Sequence, residues 1–179
     1  MKIPSNVIEI FLQPGEFYFG ERDTRIRTLL GSCISITVWH PRLLIGGMCH
    51  YMLPTRGKKR VDTLDGRYGD EALELILREI RAAGTSPAEY EVKLFGGSNM
   101  FTGSHCCGID CCDPFTSSCH DISSRNRRSA SLLVERHGFT IRAENLGGTQ
   151  PHNILFDLWS GHVWLKRPPK GLVCTYKTN

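Results

Sequence analysis

Residues 28–54 constrain the fold more than any other stretch of this sequence. They read TLLGSCISITVWHPRLLIGGMCHYMLP. Between residues 33 and 39, polar or reactive side chains alternate with aliphatic ones, which is the period of a strand with two different faces. Pro41 follows in a short turn, and residues 44–52 form a return strand that ends before Pro54. The stretch therefore predicts an antiparallel hairpin.

The register of this hairpin decides which side chains meet. With a four-residue loop, Trp39 pairs with Leu44, and Cys33 then lies directly opposite His50. Directly opposed side chains share one face, with Cβ atoms about 4.5 to 5.5 Å apart. A slip of one residue would put them on opposite faces, and the double glycine of the return strand is a typical place for a bulge. The hairpin alone leaves two interpretations open: a reacting pair, or a buried structural cysteine and an ordinary histidine.

A cysteine and a histidine in contact can act as nucleophile and base. A thiol with a pKa of about 8.5 is mostly protonated at neutral pH, and a neighbouring imidazolium would lower that pKa. Because Cys33 follows a Gly-Ser pair, the backbone N–H groups of Ser32 and Cys33 can bind a developing oxyanion at a tight turn. Apart from Ser32 in the turn itself, Thr28 is the nearest hydroxyl upstream of Cys33, and it is the candidate for a third group that orients His50.

The rest of the chain alternates strands and helices. A helix capped by Asp70 is predicted to run to Gly84, and a second helix is predicted at residues 126–137. Further strands are predicted at residues 7–12, 17–19, 91–95, 140–144, 153–156 and 162–166. These elements favour an α/β (mixed α+β) layered domain, in which a mostly antiparallel or mixed β-sheet carries two main helices.

Length and charge exclude several classes of protein. The 179 residues, 40% of them hydrophobic, suit one globular domain. We expect it to span residues 1–167, with a flexible tail at 168–179. A net charge of +4 is too small and scattered to argue for nucleic acid. Since no run approaches the roughly 20 apolar residues of a membrane span, and the start lacks a signal-peptide core, we expect a cytoplasmic protein without membrane insertion.

Residues 102–124 lack periodicity and are predicted to be a cysteine-rich insertion. In a reducing cytosol, cysteines are first interpreted as thiols, metal ligands or catalytic groups. The spacing of two of them suits zinc, but adjacent cysteine pairs depart from ordinary structural zinc motifs. A metal site and a loop of free thiols therefore both stay open. The candidate ligands are Cys106, Cys107, Cys111, Cys112 and Cys119.

Several motifs together resemble the CheD-type chemoreceptor glutamine deamidases. They run through nearly the whole chain in the family's order, so the resemblance is far more specific than one cysteine and one histidine. The motifs are TLLGSC at 28–33, GGMCHYMLP at 46–54, RYGDEAL at 67–73, KLFGGSNMF at 93–101, RAENLGGTQ at 142–150 and HVWLK at 162–166.

This resemblance implies hydrolysis of selected glutamine side chains of methyl-accepting chemotaxis receptors to glutamate, with release of ammonia and without a cofactor. By motif position it implies Cys33 as the nucleophile and His50 as the base. The family also has a catalytic threonine upstream of the cysteine. In some relatives it stands one residue further away, where this chain has Arg27, and we predict Thr28 for this role.

The resemblance also implies a partner, a CheC-type phosphatase of the chemotaxis response regulator. Two other functions stay open at this point. One is a non-catalytic adaptor that keeps the fold and binds such a phosphatase. The other is a metal or redox sensor that uses the cysteine-rich segment.

Overall fold

The computed structural model describes residues 3–57, 63–100 and 122–166. The α+β class predicted from the sequence is confirmed. The helices are α1 (Gly69–Ala82) and α2 (Ile122–Arg136). The strands are β1 (Ile8–Phe11), β2 (Phe17–Gly20), β3 (Thr24–Leu30), β4 (Ile34–His40), β5 (Ile45–Tyr51), β6 (Glu91–Gly96), β7 (Thr140–Leu146), β8 (His152–Asp157) and β9 (His162–Lys166).

The strands form two sheets. The four-stranded sheet has the order β1-β3-β8-β9, and the five-stranded sheet has the order β2-β5-β4-β6-β7. Most neighbours are antiparallel, while β1 with β3 and β6 with β7 are parallel pairs. The predicted mixture of strand directions is present, but the division into two sheets was not predicted.

The two faces of β4 contribute to two different cores. Ile34, Ile36 and Val38 pack with the apolar faces of α1 and α2. The opposite face of the five-stranded sheet packs on the four-stranded sheet, in a core that includes Met48 and Ile26. The molecule is therefore layered as helices, five-stranded sheet and four-stranded sheet, as expected for a strand with alternating faces at the centre of a sandwich.

Two predicted features differ in the structure. Asp70 does not cap α1: the N-cap residue is Tyr68, without a side-chain cap. The cap is unnecessary because the carbonyls of Leu53 and Pro54 accept from the N–H groups of Gly69 and Asp70, at 2.8 and 3.1 Å. Helix α2 already includes residue 122, ahead of the predicted start at 126.

The sequence pattern predicts no strand between residues 20 and 32, where the structure has β3. Its inward side chains include Thr24 and Thr28, both almost completely buried, beside Ile26 and Leu30. Two of its four inward side chains are polar, so its apolar alternation is weak. Within the described ranges, no helix has the length and apolar character needed to cross a membrane.

Candidate active site

The connection from β3 to β4 carries the chain from one sheet into the other. Only Gly31, Ser32 and Cys33 separate β3, in the four-stranded sheet, from β4, at the centre of the five-stranded sheet. Thr28 lies near the end of β3, and His50 lies on β5, which pairs with β4. The fold thus places the three side chains singled out in the sequence around the junction of the two sheets.

The β4–β5 hairpin does not have the predicted register. His40 pairs with Ile45, and Ser35 pairs with His50. The prediction that Cys33 lies directly opposite His50 is therefore wrong. The pairing is displaced by two positions, so Ser35 occupies the place expected for the cysteine.

The displacement comes from the hairpin loop. His40 remains in β4, and its ring Nδ1 accepts hydrogen bonds from the N–H groups of Arg42 and Leu43, both at 3.3 Å. Leu44 closes the loop in the left-handed region, with a φ of 56°, and donates its N–H to the His40 carbonyl at 2.9 Å. The loop at 41–44 thus lies one residue later than predicted.

A displacement by two residues preserves the faces of the strands. Cys33 packs against the core between the sheets, which contains Met48 and Phe95. Met48 and His50 are two residues apart on β5 and share a face. Cys33, His50 and Ser35 therefore all lie on the side of the five-stranded sheet that faces the four-stranded sheet. The buried Ser35 hydroxyl, which the sequence did not single out, has no hydrogen-bond partner in the described part of the chain.

Thr28 hydrogen bonds to His50 across the two sheets. Its Oγ1 lies 2.8 Å from Nδ1 of His50, and the same hydroxyl donates to the Leu12 carbonyl at 2.8 Å. Because a hydroxyl has one proton to donate, the Thr28 oxygen accepts from His50, so Nδ1 of His50 carries the proton. Arg27 points outward and forms an ion pair with Glu9 at 3.0 Å, so it does not reach His50.

This hydrogen bond leaves Nε2 of His50 as the basic nitrogen. Nε2 is buried and has no hydrogen-bond partner among the described residues. Burial lowers the pKa of His50 from 6.5 to about 4, against smaller opposing effects of the Leu12 backbone and the Glu16 charge. At neutral pH the side chain is therefore an uncharged imidazole with a free lone pair.

The thiol of Cys33 is also uncharged at neutral pH. Burial raises its pKa, and the Cys33 backbone N–H beside its own sulfur offsets this only in part. The prediction that an imidazolium lowers the thiol pKa is therefore wrong. Cys33 and His50 are a thiol and an imidazole at rest, since burial disfavours both charged forms.

Three consecutive carbonyls of the 31–33 turn accept hydrogen bonds. The donors are the Ser98 N–H to Gly31 at 2.9 Å, the Asn126 side-chain amide to Ser32 at 2.8 Å, and the Gly97 N–H to Cys33 at 2.8 Å. Within the described ranges, the N–H groups of Ser32 and Cys33 donate to no other residue. The turn is thus fixed through its oxygens, and these two N–H groups remain available.

Comparison with known proteins identifies the family. The sequence model of CheD, described as CheD chemotactic sensory transduction, matches residues 52–167. The probable chemoreceptor glutamine deamidase CheD 3 of Dechloromonas aromatica is 50% identical over 165 residues, covering 92% of this chain and 91% of that protein. The probable chemoreceptor glutamine deamidase CheD of Pseudomonas fluorescens is 47% identical, covering 97% of this chain and 92% of that protein. This chain belongs to the CheD family.

The match to the CheD model begins at residue 52, beyond the junction of the two sheets. The similarity to the Dechloromonas protein covers 92% of the chain, and the remainder is too short to reach Thr28 from either end. The segment from Thr28 to His50 is therefore part of the similarity to CheD proteins. Among solved structures, the Bacillus licheniformis hypothetical protein YfiH has a TM-score of 0.45 at 12% identity, covering 74% of this chain and 51% of that chain.

A glycine of the KLFGGSNMF motif lies against the turn of this CheD chain. Gly96 has a φ of 108°, and a Cβ at this position would overlap the carbonyl oxygen of Cys33. Glycine allows β6 to approach closely enough for the neighbouring Gly97 N–H to hold that carbonyl. The motif thus shapes the surroundings of Cys33.

The predicted metal ligands Cys106, Cys107, Cys111, Cys112 and Cys119 lie outside the described residues. Among the residues that are described, no group of three or more His, Cys, Asp or Glu side chains could hold a metal ion. The two cysteines described, Cys33 and Cys49, are free thiols.

Proposed function

We propose that this chain is a cysteine-dependent amidohydrolase that converts glutamine side chains of methyl-accepting chemotaxis receptors into glutamates. The observation that carries the proposal is the hydrogen bond from His50 to Thr28, which leaves a buried, basic Nε2 on the sheet face that holds Cys33. Membership of the CheD family, with relatives named chemoreceptor glutamine deamidases, supports receptor glutamines as the substrate. Free thiols suit the reducing cytoplasm as its location.

The reaction we propose begins with a neutral pair. Nε2 of His50 takes the proton from the Cys33 thiol as the sulfur attacks the carbon of the glutamine amide. The carbonyl oxygen becomes an oxyanion, which accepts hydrogen bonds from the N–H groups of Ser32 and Cys33. The oxyanion collapses, the carbon–nitrogen bond breaks, and the His50 imidazolium protonates the departing nitrogen, which leaves as ammonia. A thioester joins the substrate to Cys33.

Hydrolysis of the thioester completes the cycle. Nε2 of His50 takes a proton from water, the resulting hydroxide adds to the thioester carbon, and the carbon–sulfur bond breaks. The sulfur regains a proton from His50, and the substrate leaves as glutamate. Thr28 acts throughout as the acceptor that keeps the proton on Nδ1, so the same nitrogen of His50 exchanges protons in both halves.

Mass spectrometry of a receptor tests the function directly. A purified cytoplasmic receptor fragment is incubated with the native chain, and each converted glutamine adds about one dalton, the difference between an amide and a carboxyl group. Ammonia is expected to appear in equal amount. A folded native chain that leaves the mass of the fragment unchanged but binds a CheC-type phosphatase would favour the adaptor function instead.

Binding of a CheC-type phosphatase is a separate part of the proposal, supported by the family resemblance alone. Size-exclusion chromatography of the two purified proteins tests it. The Cys33→Ala variant is suitable here, because an adaptor function does not require the thiol.

Thr28→Val is expected to reduce kcat by about 10- to 100-fold with little change in KM, because it leaves His50 Nδ1–H without its acceptor. Valine has the shape of threonine, so packing is retained. Thr28→Ser, which keeps the hydroxyl, is the control and is expected to stay close to native. Steady-state deamidation rates check both variants, and equal losses in the two would contradict the role of the hydroxyl.

The pH profile of kcat/KM is expected to stay flat down to about pH 5 and to fall near pH 4, because His50 with a pKa of about 4 remains a base until then. In the unfolded chain His50 has its ordinary pKa of 6.5. Its contribution to stability is therefore complete above about pH 6.5 and is lost progressively as the pH falls to about 4. Circular dichroism at each pH separates unfolding from titration. A fall in kcat/KM near pH 6.5 in folded protein would contradict a neutral resting pair of Cys33 and His50.

A further inference from the structure

Asn126 connects the two chain segments that carry Cys33 and His50. It lies on α2, is completely buried, and donates hydrogen bonds from its side-chain NH₂ group to the carbonyls of Ser32 at 2.8 Å and Met52 at 2.9 Å. Ser32 immediately precedes Cys33, and Met52 follows His50 by two residues. One side chain thus holds both segments.

The two carbonyls lie just beyond the end of the β4–β5 ladder. Ile34 with Tyr51 is the last pair of that ladder on the side of the turn. Past this pair the backbones of Ser32 and Met52 do not pair with each other, and the amide of Asn126 bonds to both instead. The buried Oδ1 of Asn126 has no hydrogen-bond partner among the described residues. A buried acceptor without a partner costs stability, which offsets part of what the two donated hydrogen bonds contribute.

The contact with Ser32 determines where the Cys33 N–H points. In a trans peptide the carbonyl of one residue and the N–H of the next point in opposite directions within one plane. There are no cis peptide bonds in the described part of the chain. The Ser32 carbonyl points toward α2, because it accepts the hydrogen bond from Asn126. The N–H of Cys33 therefore points away from that helix.

Asn126 differs from the other donors to this turn. The carbonyls of Gly31 and Cys33 are held by the backbone N–H groups of Ser98 and Gly97, whereas that of Ser32 is held by a side chain. A point mutation can therefore release the Ser32–Cys33 peptide and leave the other two contacts in place.

We propose that Asn126 is a positioning residue for deamidation: it orients the Ser32–Cys33 peptide so that the Cys33 N–H donates to the oxyanion on the substrate carbon. This inference rests on the proposed function. It assigns Asn126 no contact with the substrate. Asn126 affects the step in which the oxyanion forms. It does not affect substrate binding or the reactivity of the Cys33 thiol.

Asn126→Leu removes both donors and keeps a side chain of similar size. We expect kcat to fall by about 100-fold, the usual cost of one oxyanion donor, with KM within about threefold of native. Alkylation of Cys33 by iodoacetamide forms no oxyanion, so its rate is expected to stay within about threefold of native. Ser129→Ala is the matched control: Ser129 is buried on the same helix and donates to the Asn126 carbonyl at 3.0 Å. It is expected to keep native turnover.

The experiment uses the full chain and the receptor fragment that the native chain deamidates, with circular dichroism to verify folding. If Asn126→Leu does not fold, Asn126→Asp keeps the shape. Burial raises the pKa of the new carboxyl group, so it stays protonated and supplies one donor in place of two. We then expect a smaller loss of turnover, again with alkylation of Cys33 close to the native rate. Native kcat in the folded variant, or equal losses in turnover and alkylation, would overturn the inference. An inactive native chain would instead overturn the proposed function itself.

Discussion

Cys33→Ala is expected to abolish deamidation of the receptor fragment. Without the sulfur no thioester can form, and water would have to attack an unactivated amide. Loss of the nucleophile in acyl-transfer enzymes lowers kcat by about 10⁴- to 10⁶-fold, which places the variant below detection in an ordinary assay. The fold should persist, because Cys33 is only partly buried and donates no hydrogen bond that holds the turn. Mass spectrometry of the receptor fragment and release of ammonia measure the loss.

Cys49→Ala is the matched control for this prediction. Cys49 is a free thiol that lies completely buried on the opposite face of β5, in the core formed with the helices. Burial raises its pKa to about 12, so it has no thiolate character at neutral pH. We expect activity within about twofold of native and a loss of stability of about 1 kcal/mol from the small cavity. Release of ammonia by the Cys33→Ala variant would exclude the thioester mechanism.

Local patterns were enough to place most of the elements. The alternation in β4 and the apolar spacing in α1 are properties of a few neighbouring residues, and both elements occur where the sequence predicts them. The register of the β4–β5 hairpin was wrong, because it depends on the loop. His40 bonds to loop N–H groups through its ring and Leu44 adopts a positive φ, and neither has a signal in the sequence.

The contacts of the candidate site depend on tertiary structure. Thr28 meets His50 only because β3 and β5 lie in different sheets that pack face to face, and β3 itself has weak apolar alternation. Asn126 reaches Ser32 from a helix far along the chain. A buried asparagine in a helix has no local pattern that separates it from an exposed one, so its contact could not be predicted from spacing.

The neutral charge states also follow from the tertiary structure. A cysteine near a histidine suggests an ion pair when only residue types are considered. Here both groups lie on the face of the five-stranded sheet that packs on the four-stranded sheet, and burial moves the two pKa values in the directions that favour thiol and imidazole. The proton must therefore move during the attack on the substrate, which makes His50 a general base in the reaction we propose and not a counter-ion for a preformed thiolate.

His50→Asn separates these two roles of the histidine. The Nδ2 of asparagine can take the place of His50 Nδ1–H and keep the hydrogen bond to Thr28, so we expect a folded protein. What the variant lacks is Nε2, the base. We expect kcat to fall by about 10³- to 10⁴-fold at neutral pH. His162→Asn, which alters an exposed histidine on β9, is the control and is expected to keep native turnover.

The residual activity of His50→Asn is expected to depend on pH in a way that the native rate does not. Without a base, attack requires the Cys33 thiolate, and burial raises the pKa of that thiol. The thiolate fraction, and with it the residual rate, should then rise about tenfold per pH unit below the thiol pKa. The native chain should show no such slope between about pH 5 and 8, because His50 removes the proton as the bond forms. A residual rate in His50→Asn that is independent of pH would mean that the thiolate exists without the histidine, and would contradict general-base catalysis by His50.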